Sequence, residues 1–247
     1  MNDLQWCIDF LRRYNGIERE LPCDWPTFRA LVNATMPIDF PEEFYRRQDL
    51  VLREELSKKA VVDIASFPDG ISLFKRDITL VKADAIVNAC NAKMLGCFVP
   101  GHHCVDNAIH TYAGLQVRRD MMEIMEAQGH DEPNGQVKVS NAYNLPCEYV
   151  FHTVGPIYSG DPRDDADLTS CYRICLEEAE KMGLKSIVFC SLSTGIFGFP
   201  IERACRIAIA VAKGHFQERK RSVRKIVFDV FSEHDYETYS RAIKEMD

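Results

Sequence analysis

Asn88-Ala-Cys90-Asn91-Ala-Lys-Met-Leu-Gly96-Cys97-Phe-Val-Pro-Gly-His102-His103-Cys104-Val105-Asp106-Asn107-Ala-Ile-His110 is the stretch on which the reading of this chain turns. The apolar run just before and into it, Asp84-Ala-Ile-Val-Asn-Ala-Cys90, has the length of a buried strand. After it, Val105, Ala108, Ile109, Tyr112 and Ala113 recur at helical spacing. The segment therefore reads as a strand, a loop dense in metal-ligand residue types, and a helix start. In open α/β sheets, ligands gather where strands end and helices begin.

Within the loop, Cys97, His102 and Cys104 are spaced C-x4-H-x-C. Two thiolates and an imidazole suit zinc, and three protein ligands leave a fourth position for water or substrate, as in catalytic rather than structural zinc sites. His103 competes with His102 for the ligand role, His110 or a distant residue could supply a fourth ligand, and spacing alone does not choose. Buried free cysteines beside solvated histidines are the plain alternative.

Composition narrows the field. A chain of 247 residues, 46% hydrophobic, can bury one large core and a small appendage. The net charge of −7 argues against a nucleic-acid partner, because phosphate backbones call for clustered Lys and Arg. No apolar run approaches a membrane span, and the beginning of the sequence lacks the basic and apolar regions of a signal peptide. The ten cysteines are scattered, several inside apolar runs, which fits a reducing cytoplasmic setting better than a disulfide scaffold. The acidic, unremarkable composition favours a monomer.

Taken in order, residues 1–68 read as helical. Leu4, Cys7, Ile8 and Leu11 share one helix face; Asp24 ahead of Trp25-Pro26 reads as a cap; and Pro41-Glu-Glu-Phe44 opens a third helix with its acids in the first turn. Ile71–Val81 reads as a strand and turn, and further strands are expected in Gln136–Asn141, Glu148–Thr153, Lys185–Leu192 and Lys225–Phe231. The helix after Cys104 breaks near Gly114 and resumes to about Ala127, and residues 155–164 read as a surface loop. From Leu168, the residues Cys171, Tyr172, Cys175, Leu176, Ala179 and Met182 mark an amphipathic helix whose cysteines face the core, with Gly183 as its stop. A helix from Ile201 and another capped by Ser232 or Asp235 close the chain. Between strand and helix, Ser193-Thr194-Gly195-Ile196-Phe197-Gly198 exposes backbone N–H groups in a geometry that suits a diphosphate. It carries no Lys and no Walker pattern, which argues against nucleotide hydrolysis. A tight structural turn explains it about as well. The alternation of strands and helices gives an α/β fold, with helices on both faces of a parallel or mixed sheet.

Asp77-Ile78, Ile86–Asn91, Val105–His110, Asn144-Leu-Pro, His152-Thr-Val-Gly-Pro156 and Ser193–Gly198 resemble, in order, the motifs of macrodomains, which bind ADP-ribose. The resemblance covers roughly residues 70–245. The insertion Gly96–Cys104 is similar to that of the zinc-dependent branch, the protein-ADP-ribose hydrolases, which also carry a helical N-terminal extension. The Cys-Phe-x-Pro-x-His-x-Cys pattern makes His102 the preferred ligand over His103. Cys90 stands where an alanine is more usual and is expected to pack in the core. The fold implied is a macrodomain-like three-layer α/β/α sandwich with a mixed central sheet at residues 69–247, preceded by a helical extension at 1–68.

The resemblance also implies roles. Asp77 would accept a hydrogen bond from the adenine amino group with the Ile78 backbone beside it; without the resemblance, a turn-forming Asp is the reading. Phe231 would stack on adenine, with core packing as the alternative. Ser193, Thr194, Gly195, Ile196, Phe197 and Gly198 would cradle the diphosphate, Phe197 packing on the distal ribose. Asn91 would hold the distal ribose hydroxyls. Val105 and Asp106, at the helix start, would meet the diphosphate through their N–H groups, and the Asp106 carboxylate would orient a water or ribose hydroxyl unless it serves as a helix cap. One zinc ion on Cys97, His102 and Cys104 would act as a Lewis acid near the anomeric carbon. The expected substrate is a mono-ADP-ribosylated protein. The rival expectations are a binding module with a structural zinc and an O-acetyl-ADP-ribose deacetylase.

Overall fold

In the computed structural model, which describes residues 2–217 and 221–246, three helices come first: α1 (Asp3–Tyr14), α2 (Trp25–Ala34) and α3 (Glu42–Ser57). Asp24 caps α2 as expected, accepting the Thr27 N–H at 2.9 Å, with Pro26 in the first turn. Helical structure ends sooner than residue 68. A two-residue strand β1 (Val62–Asp63) and a 3-10 turn (Ile64–Ser66) follow α3, because Val62 and Asp63 pair in parallel with β3 (Val81–Lys82).

Between them runs β2 (Gly70–Phe74), and after them β4 (Ala85–Ala89). Helices α4 (Val105–Ala113) and α5 (Leu115–Gln128) are separated at Gly114, whose φ of 103° breaks the helical path. Strands β5 (Val137–Asn141) and β6 (Tyr149–Thr153) lead to α6 (Pro162–Lys181), and β7 (Ser186–Cys190) to α7 (Ile201–Gln217). Strand β8 (Lys225–Asp229) and α8 (Glu233–Met246) close the fold. Helix α6 starts six residues before Leu168, within the segment read as loop. Asp161 caps it by accepting the Arg163 N–H at 2.8 Å, and Pro162 occupies the first helical position.

The central sheet has the order β2-β8-β7-β4-β6-β5, parallel throughout except for the antiparallel β5 at one edge. Val87 of β4 lies between Phe151 of β6 and Phe189 of β7, and all three are buried. Helices flank this sheet, which is why its inner strands read as unbroken apolar runs. Cys90, Cys171 and Cys175 pack in the same core, as anticipated. The first three helices form a second apolar cluster around Cys7, Ile8, Phe28, Leu31, Phe44 and Leu52, to which α5 contributes Leu115. Burying Leu115 contributes about 2 kcal/mol to holding these helices on the sheet domain. Among the described residues, no helix is long and apolar enough to cross a membrane.

Candidate active site

Parallel strands deliver their C-terminal ends to one edge of the sheet, and the pairing register aligns them: Phe74 with Asp229, Asp229 with Cys190, Ala89 with Thr153. The segments that follow are those singled out from sequence. Asp77 and Ile78 follow β2, the loop to Cys104 follows β4, Gly155 follows β6, residues 193–198 follow β7 and Phe231 follows β8. A crevice along this edge is where such sheets bind ligands.

The loop after β4 brings Sγ of Cys97, a ring nitrogen of His102 and Sγ of Cys104 within 4.8 Å of one another. His103 is exposed and outside this group, and His110 is buried away from it. Cys97 Sγ and His102 Nδ1 are 3.6 Å apart. Two donors on a tetrahedral zinc, at about 2.3 Å for sulfur and about 2.1 Å for nitrogen, would sit about 3.6 Å apart. Burial pushes the Cys104 thiol up to about 11, and the neighbouring Cys97 adds to this. A cation offsets that cost by stabilising the thiolates. The donor set and spacing thus fit zinc, and no fourth protein ligand joins the group among the described residues.

Asp106 sits in the first turn of α4, 5% exposed. It is not the helix cap: Cys104 holds that place, its Sγ accepting the Asn107 N–H at 3.4 Å. The Asp106 carboxylate turns inward, where Asn88 Nδ2 donates to Oδ1 at 2.8 Å. Burial raises its pKa to about 6, against the lowering effects of the Asn88 bond and the Arg118 charge. His110 Nε2 lies 3.5 Å from Oδ1, but burial keeps that ring neutral, so no ion pair forms. Behind Asn88 lies His152, also held neutral by burial and hydrogen-bonded through Nε2 to Ser140 Oγ at 2.9 Å. Asn91 is half-buried in the loop that follows β4. Its Oδ1 accepts the Lys93 N–H and its Nδ2 donates to the Gly96 carbonyl.

After β7, Gly198 N–H donates to the Gly195 carbonyl and Phe199 N–H to the Ser193 carbonyl, closing a compact turn. Among the described residues, the N–H groups of Thr194, Gly195, Ile196 and Phe197 donate to no protein group. Consecutive unpaired amides in such a turn form an anion nest. Ser193 adopts φ 62°, and Gly155 packs against it so closely that a Cβ there would lie 2.1 Å from Ser193 Oγ. Asp77 is exposed and forms the turn expected of a lone Asp: Oδ1 accepts from the Thr79 N–H at 3.0 Å and hydroxyl at 2.6 Å. Ile78 buries its side chain below it. Phe231 is 85% exposed, which overturns the core-packing alternative; β8 ends two residues earlier, so its ring stands free at the edge.

A macro domain family model matches residues 87–208. A protein-ADP-ribose hydrolase of Treponema medium is 43% identical over 95% of this chain and 95% of its own length. The Staphylococcus aureus (strain MRSA252) protein-ADP-ribose hydrolase is 39% identical over 88% of this chain and 84% of its own. The chain belongs to the macrodomain family. Among solved structures, a mutant of the Oceanobacillus iheyensis macrodomain with ADPR superimposes with a TM-score of 0.66 at 35% identity, covering 72% of this chain and 94% of that one.

Two residues inside the motifs quoted above, Asn88 and Gly155, have no role assigned from sequence. Asn88 looks from sequence like a strand residue, and only the partner it finds 18 positions later gives it a role. Gly155 reads from sequence as loop, and its need to be glycine appears only in its contact with Ser193.

Proposed function

We propose that this macrodomain is a zinc-dependent protein-ADP-ribose hydrolase that removes mono-ADP-ribose from modified side chains. The observation that carries the reading is the convergence of Cys97, His102 and Cys104 at the sheet edge that also presents the 193–198 amide nest. Relatives at 43% and 39% identity bear the name protein-ADP-ribose hydrolase, and the O. iheyensis relative was solved with ADPR.

In this reading, the amides of Thr194 to Phe197 bind the diphosphate in place of water, with Val105 and Asp106 adding first-turn N–H groups of α4. Phe231 lies over the adenine and Asp77 accepts from its amino group. Asn91 holds the distal ribose hydroxyls and Phe197 packs on that sugar. Asp106 already receives Asn88 on Oδ1, which leaves Oδ2 to accept a proton from a water or ribose hydroxyl beside the anomeric carbon. Bound at Cys97, His102 and Cys104, zinc would supply a Lewis acid there.

The test is a de-modification assay on aspartyl- and seryl-ADP-ribosylated proteins, with and without a chelator. Turnover is expected to disappear on zinc removal and return on zinc addition, while ADP-ribose affinity stays within about threefold, since adenine and diphosphate contacts lie elsewhere. Full activity in metal-free protein would rule out the catalytic role of zinc.

A further inference from the structure

The Cys97–Cys104 segment has no regular secondary structure of its own, yet three ligands on eight residues must converge to within a few tenths of an ångström. Much of what holds it comes from α2, about seventy positions earlier in the chain. Arg29 Nη2 donates to the carbonyl oxygen of His102 at 2.8 Å and to Oδ1 of Asn107 at 3.0 Å. One turn further along α2, fully buried Asn33 accepts the Gly101 N–H on Oδ1 at 3.0 Å and donates through Nδ2 to Thr111 Oγ1 at 2.8 Å. Asn107 in α4 relays the contact: its Nδ2 donates to the carbonyls of Cys97 and Val99 at 3.3 and 3.0 Å.

The same helix is itself fixed. Buried Arg118 of α5 donates through Nη1 to the carbonyls of Val32, Asn33 and Thr35, at the C-terminal end of α2 where the helix dipole favours a cation. Its guanidinium lies 4.3 Å from the ring centroid of Phe98, inside the metal loop. One face of α2 therefore meets the loop at Gly101 and His102 and, through Asn107, at Cys97 and Val99.

We infer that Arg29 and Asn33 are positioning residues for the metal ligands, so that the N-terminal helices are a structural half of the metal centre. The inference rests on the zinc reading proposed above. Arg29 orients His102 by holding its carbonyl, and Asn33 sets the path of the backbone at Gly101, which adopts φ 67°. Neither side chain donates to a metal ligand atom, so their effect is on the arrangement of the three donors before the ion arrives.

The full-length chain is compared with Arg29→Met, which keeps the packing of the stem, Arg29→Lys and Asn33→Ser. Zinc affinity is read by competition with a chromophoric chelator, ADP-ribose affinity by calorimetry, and loop order by amide exchange of the 97–104 segment in metal-free protein. Removing a group hydrogen-bonded directly to a ligating side chain costs about tenfold to a hundredfold in metal affinity, and groups that act through the loop backbone fall at the lower end of that range, about tenfold. Arg29→Met is expected to lose about that much, with faster exchange in the metal-free loop and ADP-ribose affinity within about threefold of wild type. Arg29→Lys, which keeps one donor but not the fork, should recover part of the loss. Zinc affinity within about twofold of wild type in both Arg29→Met and Asn33→Ser would overturn the inference. If Asn33→Ser fails to fold, the two Arg29 variants alone decide. Cys97→Ala separates the two questions: a wild-type protein that takes up no zinc, or a Cys97→Ala protein that binds it equally well, sinks the zinc reading itself.

Discussion

Nδ2 of Asn88, in the penultimate position of β4, donates a 2.8 Å hydrogen bond to Oδ1 of Asp106, in the first turn of α4. Both groups are buried, and this bond fixes which carboxylate oxygen remains for a ligand. Asn88→Ala removes that donor. Leaving a buried acceptor unpaired costs about 1–3 kcal/mol, which unfolding in urea will register. Displacing a reacting group by a fraction of an ångström costs ten- to a hundredfold, so kcat should fall by about that factor while ADP-ribose binding persists. Unchanged kcat in a folded Asn88→Ala protein would remove Asp106 from the list of groups that need such placement.

Gly96 meets His110 in a different way. A Cβ at Gly96 would fall 2.7 Å from Cγ of the buried His110 ring, and φ there is 82°. Gly101, five residues on, also has positive φ but open space around it. Gly101→Ala therefore measures backbone strain alone, about 1–2 kcal/mol. Gly96→Ala adds a clash that only a shift of the loop or of α4 relieves, and it should be less stable than Gly101→Ala by at least about 1 kcal/mol in thermal unfolding. Equal losses would show that the ring contact contributes nothing.

Phe231→Ala tests the adenine contact proposed above. At 85% exposure its side chain supports little of the fold, so Phe231→Ala should stay within about 0.5 kcal/mol of wild-type stability. Base–aromatic stacking is worth about 1–3 kcal/mol by alanine substitution, and ADP-ribose affinity measured by calorimetry should drop roughly five- to 150-fold. A variant that binds as tightly as wild type would assign the ring some other purpose.

Much of this arrangement was readable from sequence because local chemistry dictates it. The apolar run at residues 85–89, the helical spacing from Val105 and the glycine-bearing turn at 193–198 each have one economical conformation, and each adopted it. The three candidate metal ligands lie within eight residues, so chain connectivity alone keeps them close. Other relationships depend on contacts between distant residues and left no local mark. Arg29 reads as an ordinary charged residue on an amphipathic helix until His102 arrives 73 positions later. Helix α6 is longer than its periodicity predicts because Pro162–Asp167 lacks an apolar stripe, and its start is set by Asp161 and Pro162. Phe231 sat at the end of an apolar run, and only the register of β8 shows that the strand stops at Asp229.

That last residue of β8 makes a prediction about pH. Asp229 is 6% exposed, accepts the Arg76 N–H on Oδ1 at 2.9 Å, and has a pKa raised from its ordinary 3.8 to about 7, chiefly by burial, with the nearby Asp77 carboxylate adding to the rise. Between those two values the folded protein holds a proton that the unfolded chain has released, so stability falls as pH rises across the interval. The contribution is complete below about pH 4 and is lost as pH climbs through about 7. Asn at this position keeps an oxygen for the Arg76 N–H and cannot ionise. Asp229→Asn should therefore match wild type near pH 4 and exceed its stability increasingly towards pH 8, by at most about 4 kcal/mol. Urea unfolding at about pH 4.5, 6 and 8 gives the comparison. A difference that stays flat over that range would mean Asp229 ionises as readily in the folded protein as in the unfolded chain.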